Sequence, residues 1–96
     1  MANICENYFY ATSQNPENIK YIYSFFDEEM DTILDQDSDI IEGYFDSKWT
    51  FPEEKMDELL KGIPDKKDIY MRCLSVEYGC MYHALWECEG DTWVEV

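Results

Sequence analysis

The residues that could do chemistry in this chain are carboxylates. Between positions 27 and 58 stand Asp27, Glu28, Glu29, Asp31, Asp35, Asp37, Asp39, Glu42, Asp46, Glu53, Glu54, Asp57 and Glu58, against only Lys48 and Lys55. Helical residues three or four apart lie about 5–6 Å from one another. Acids at 27, 31 and 35, or at 53 and 57, are therefore expected to form rows of negative charge at a pitch near that of phosphates along one nucleic-acid strand. Like charges at that spacing oppose a helix by a few tenths of a kcal/mol per pair. So dense a row exceeds what solubility requires and points to a partner. The expected binding residues are Asp27, Glu28, Asp31, Asp35, Asp37, Asp39, Glu42, Asp46, Glu53, Glu54, Asp57 and Glu58.

Other chemistries lack their constellations. Asp35, Asp37 and Asp39 spell the opening of a calcium loop. The sixth position is then Ile40 where the sharp turn needs Gly, and the twelfth is Asp46 inside an expected strand. Cys5, Cys73, Cys80 and Cys88 form no C-x-x-C pair, and His83 is the one histidine, so neither zinc nor any other metal or cofactor is expected. Cys80 and Cys88 would sit about 27 Å apart along one strand, too far to bridge. With no secretory leader apparent at the start, the thiols are expected to be reduced. No nucleophile motif or Gly-rich loop singles out an acid–base pair, so no catalytic residues are expected.

Over its 96 residues the chain carries 22 Asp and Glu against 7 Lys and Arg, a net charge of −15. This repels nucleic-acid phosphates and anionic lipid, and it accelerates encounter with basic proteins. The expected partner is a basic protein surface, with no direct nucleic acid and no membrane, bound by a monomer or small homo-oligomer. A hydrophobic fraction of 46% with 17% aromatics is enough for a packed core rather than a disordered acidic tail. One domain spanning 1–96 is the natural reading of this length.

The elements that must position the acids follow from periodicity. Residues 3–11 alternate, with Ile4, Tyr8 and Tyr10 on one parity and Cys5, Phe9 and Ala11 on the other. Asn15 and Pro16 are a helix start. Ile19, Ile22, Tyr23, Phe26, Met30, Ile33 and Leu34 then predict a helix over 16–34 that buries Ile22, Phe26, Met30 and Ile33. A polar loop at 35–39 leads to a second strand at 40–49. Thr50 and Glu53 predict a capping box with Pro52 in the first turn, opening a helix that faces Met56, Leu59, Leu60 and Ile63 inward. Gly62 is expected to take the left-handed C-terminal position, and Pro64 to stop the helix. Strands at 69–77 and 80–88 join through Glu77-Tyr78-Gly79, with a short last strand at 92–96. The order β-α-β-α-β-β predicts an α+β fold. Two helices pack on one face of a mainly antiparallel sheet of four to five strands.

Three segments carry a family resemblance. They are Ala2-Asn3-Ile4-Cys5-Glu6-Asn7-Tyr8-Phe9, then Phe45-Asp46-Ser47-Lys48-Trp49-Thr50-Phe51-Pro52 with its following helix, and Glu77-Tyr78-Gly79 with Tyr82-His83-Ala84. Together they resemble the YubB-type ferredoxin-like domain of plasmid and phage proteins. The resemblance implies a ferredoxin-like fold and a mobile-element origin, and supplies no catalytic residues. By size and charge the chain is also similar to acidic phage anti-CRISPR proteins that imitate DNA. That similarity implies a cytoplasmic site of action in a bacterial host and a CRISPR effector subunit as the basic partner. The alternative is a non-enzymatic mobile-element domain that binds some other basic surface.

Overall fold

The structure is a computed structural model, described over residues 4–48, 50–79, 81–89 and 91–96. Two helices cover one face of a six-stranded antiparallel sheet, an α+β architecture. In chain order the elements are β1 (Ile4–Thr12), α1 (Pro16–Glu29), β2 (Asp35–Gln36), β3 (Ile40–Lys48), α2 (Glu53–Gly62), β4 (Tyr70–Glu77), β5 (Tyr82–Glu89) and β6 (Trp93–Glu95). The strands lie side by side in the order β2-β3-β1-β4-β5-β6. β1 is therefore central, paired from Ile4↔Lys48 to Thr12↔Ile40 on one side and from Glu6↔Val76 to Thr12↔Tyr70 on the other.

The alternation read in the sequence sets the two faces. Cys5, Asn7, Phe9 and Ala11 of β1, Ile41 and Phe45 of β3, and Met71 and Cys73 of β4 are buried under the helices. α1 contributes Ile19, Ile22, Phe25 and Phe26, while α2 contributes Met56, Leu59 and Leu60. Phe26 has no exposed surface and lies between Phe9 and Phe45, with ring centroids 4.8 and 5.2 Å away. At the other end Phe51 stacks on Trp86 at 4.5 Å, and the Trp93 indole donates to the Met56 carbonyl at 3.0 Å, tying β6 to α2.

α1 begins as the sequence predicts, with the Asn15 side chain accepting from the Glu17 amide at 3.0 Å and Pro16 at the first position. It ends five residues early. Asp27, Glu28 and Glu29 place negative charge at the negative end of the helix dipole, and the last turn holds no basic residue. The Phe26 carbonyl accepts from the amides of both Met30 and Thr32, and Asp31 turns the chain at φ 49°. Aspartate is among the few residues that adopt this left-handed conformation readily. The expected burial of Ile33 is thereby corrected: it is 66% exposed, while Met30 is half-buried against the core. Leu34 is buried, but from a loop. It lies over Gly43 of β3, where any larger side chain would strike it.

Three smaller expectations also change. The capping box is absent: α2 starts at Glu53 with Pro52 as its cap, and the Thr50 hydroxyl donates to the Phe51 carbonyl instead. Gly62 is the last residue of α2 rather than a left-handed cap. Ile63, extended ahead of Pro64, breaks the helix. The Lys66 ammonium donates to the carbonyls of Lys61 and Ile63, satisfying acceptors at that end. Finally, the sheet has six strands rather than four or five, because Asp35–Gln36 pairs with β3. Two polar residues are too few for alternation to show.

Two buried asparagines organise the connections. Asn18 accepts from the Asp65 amide and donates to Ser13 Oγ and to the carbonyls of Asp65 and Asp68. It thus joins the β1–α1 turn to the α2–β4 loop. Asn7 donates to the carbonyls of Cys5 and Phe45 and to Ser47 Oγ, and accepts from Ser75 Oγ at 2.6 Å. Replacing Asn7 by alanine leaves several buried polar groups unmatched. It is expected to cost about 1–3 kcal/mol for each group left unsatisfied, which urea unfolding will measure. A cost near zero would mean that water replaces the side chain.

Candidate interaction surface

The acids singled out from the sequence fall on three parts of the molecule, and all twelve are exposed except Asp39, which is half-buried. Asp27 and Glu28 lie near the end of α1, and Glu53, Glu54, Asp57 and Glu58 lie on α2. Asp31, Asp37 and Asp39 are in the turns on either side of β2. Asp35, Glu42 and Asp46 belong to β2 and β3. The expected helical row 27–31–35 does not exist, because α1 stops at Glu29. The pairs 53/57 and 54/58 do share one helix. Glu53 and Glu54 also lie in its first turn, where the helix dipole favours them.

Little neutralises this charge. The ion pairs among the described residues are Lys20–Glu17 at 3.9 Å and Lys55–Glu58 at 3.5 Å, both exposed. Acids of the two helices converge at Tyr21, whose hydroxyl pKa is raised first by burial and then by Glu29 and Glu58.

The face of the sheet opposite the helices carries a feature that the sequence reading left in the background. Its residues are the even-numbered ones of β1, β3 and β4, and Tyr8, Tyr44, Leu74 and Ile4 are all exposed there. Tyr8 and Tyr44 are direct cross-strand partners, with rings 5.5 Å apart. The Tyr8 hydroxyl donates to Glu6 at 2.7 Å, and Tyr44 donates to Asp46. Each carboxylate holds the proton on its phenol, so the Tyr8 pKa is raised and that of Tyr44 reaches about 12. The Arg72 guanidinium lies 4.3 Å above the Tyr10 ring, opposite Glu87 in the register, and Glu87 accepts from Tyr70. An open trough of ≈ 430 Å³ runs between Tyr8, Tyr10, Asp35, Glu42, Arg72 and Leu74. The alternation of Tyr8 and Tyr10 was the available signal. What hid the face was that local alternation does not say which strands lie side by side, so the pairing of Tyr8 with Tyr44 could not be read.

The remaining reactive groups are separated. His83 is exposed on β5. Cys5 and Cys73 are buried beside Asn7, and Cys88 is buried opposite Trp93 of β6. Among the described residues no group of three His, Cys, Asp or Glu is placed to hold a metal. In the short calcium-like run, Asp35 pairs with Glu42 in the sheet, and Asp37 accepts from the Ser38 amide. No described helix is long and apolar enough to cross a membrane.

Burial raises the Cys73 thiol from its ordinary 9.0 to about 12 and that of Cys88 to about 11, and it raises Cys5 as well. A thiol with a raised folded pKa stabilises fully below the unfolded value, and that stabilisation is lost as pH rises through the folded value. Stability is therefore expected to fall from pH 9.0 upward toward 11–12. The native thiols of Cys5, Cys73 and Cys88 are expected to resist alkylation until the chain unfolds. Alkylation followed by mass measurement, with melts across the alkaline range, checks both; rapid native labelling of Cys73 would contradict them. Cys80, together with Ala2, Asn3 and Trp49 of the family resemblance, lies outside the described residues.

No family model, no curated protein and no solved structure matches the chain.

Proposed function

We propose that the chain is a non-enzymatic interaction protein that occupies a basic, nucleic-acid-binding groove on another protein and acts by competition rather than turnover. The observation that carries this reading is charge per unit length. The fold measures 39 × 26 × 20 Å, so 15 net negative charges over 39 Å amount to about one per 2.6 Å. Double-stranded DNA carries roughly one charge per 1.7 Å of axis, and a single strand about one per 3.4 Å. The domain lies between the two, and a groove that releases counterions on binding DNA gains in the same way from this surface.

We propose further that the partner is a CRISPR effector subunit and that the chain is an anti-defence protein acting in the cytoplasm of a bacterial host. The supports are size, charge and the resemblance to YubB-type mobile-element domains. The ferredoxin-like description belongs to the same proposal. The interleaving β2-β3-β1-β4 around two helices is compatible with a ferredoxin-like β-α-β-β-α-β core, with β5 and β6 added at one edge. The alternative partner, a basic surface that does not bind nucleic acid, is favoured by the tyrosines of the open sheet face.

The test is binding to a panel of purified CRISPR effector complexes at about 50 and 200 mM salt. Affinity is expected to fall on the order of 10³-fold or more if six or more charges are neutralised. Binding that ignores salt would remove charge as its basis. Failure to bind any effector would remove the effector assignment.

A further inference from the structure

The chain contains one arginine, and it lies on the open sheet face. Arg72 is flanked on the neighbouring strands by Tyr10 and Glu87, its register partners on β1 and β5. The guanidinium sits over the Tyr10 ring, and Tyr70 and Glu87 are hydrogen-bonded beside it. The unit is a guanidinium on an aromatic face, with a carboxylate on the strand across from that ring, an arrangement that suits a planar, weakly hydrated cation.

The β1–β3 half of the same face also brings aromatic rings together with carboxylates, with no arginine among them. Tyr8 and Tyr44 lie side by side, Glu6 and Asp46 are register partners two residues along, and Glu42 and Asp35 are partners on the other side. Each hydroxyl is held by its carboxylate, so both rings are fixed in orientation while remaining exposed. Lys48 and His83 are the other basic or titratable nitrogen-bearing side chains assigned to this face by register.

We infer that this face docks an extended, arginine-bearing segment of a partner protein, with guanidinium groups laid over Tyr8 and Tyr44 and held by Glu6 and Asp46. The inference rests on the preceding reading only for the sign of the partner's charge. A second copy of this chain does not fit, because its single arginine is already engaged and each copy brings a charge of −15. Stacked nucleic-acid bases do not fit either, since each tyrosine has a carboxylate beside it that would meet a phosphate.

The test uses short synthetic peptides alternating arginine with glycine and their lysine counterparts, titrated into the intact domain and followed by tyrosine chemical shifts. The arginine peptide is expected to bind about tenfold more tightly than the lysine one, with the largest shifts at Tyr8 and Tyr44. The double variant Tyr8→Thr, Tyr44→Thr is expected to lose that preference. If it fails to fold, Glu6→Gln with Asp46→Asn keeps both rings and is expected to weaken both peptides. Equal binding of the two peptides, or parental binding by the folded variants, would overturn the inference and leave groove occupancy standing. Arginine-selective binding with no antagonism of DNA would do the reverse. Single-stranded nucleic acid bound at Tyr8 and Tyr44, or self-association through them, would also overturn it.

Discussion

Phe26→Ala is expected to cost about 3–5 kcal/mol, the usual penalty for emptying a core phenylalanine site. The ring contacts Phe9 and Phe45 from the sheet and packs edge-on against Phe25 within α1. Its loss opens a cavity where the helix meets β1 and β3, and neighbouring rings cannot close it without leaving their own sites. Domains of this size hold roughly 5–15 kcal/mol in total, so the variant will be marginal or unfolded at ambient temperature. The control is Ile33→Ala. Periodicity puts Ile33 on the same helical face, but the structure leaves it 66% exposed beyond the end of α1. Its truncation is expected to change stability by about 0.5 kcal/mol or less. Urea melts of the two variants decide between helix ends. Comparable losses would restore the longer helix and move Asp31 onto it.

The second large effect separates stability from binding. Asp27 and Glu28 are exposed at the C-terminal end of α1, where the dipole disfavours them. Changing both to lysine is expected to stabilise the fold by roughly 0.3–1 kcal/mol each. If these acids exist for a basic partner, the same change, combined with Asp57→Lys on α2, should weaken binding on the order of 10–100-fold, mostly through slower association. A more stable protein that binds less well is hard to explain by damage to the fold. Reversal at Glu87 is a poor control, because Glu87 accepts from Tyr70 and faces Arg72. Reversal at Glu89 and Asp91, both exposed, is the better one and is expected to matter less. Equal losses at both places would mean that net charge alone drives association.

Most elements were legible in the sequence because their local signals are strong. The alternation of Cys5, Phe9 and Ala11 against Tyr8 and Tyr10 separates the two faces of β1, and Asn15-Pro16 marks where α1 begins. The end of α1 was not legible. No glycine marks it, and Ile33 and Leu34 continue the three-and-four spacing although the chain has already turned at Asp31. That one misreading created the row 27–31–35. β2 went unread for a different reason: its two residues fall in a polar loop at 35–39, where no alternation can show. The acidic character of the surface could be read from composition alone, but its division among helices, turns and sheet face depends on strand register. Pairing Tyr8 with Tyr44 requires knowing that β3 lies beside β1 and in which register, and no local pattern encodes that. The buried roles of Asn7 and Asn18 were likewise invisible, since asparagine in a strand or helix reads first as a solvent-facing residue.

The most direct measurement of the central claim is competition on the partner itself. A CRISPR effector that retains the domain is mixed with labelled target DNA, and the domain is titrated in at low and moderate salt. DNA is expected to be displaced as the domain binds, the apparent affinities of both are expected to fall together as salt rises, and the Asp27, Glu28 and Asp57 reversals are expected to displace DNA less effectively. If domain and DNA occupy the effector together without antagonism, groove occupancy is contradicted.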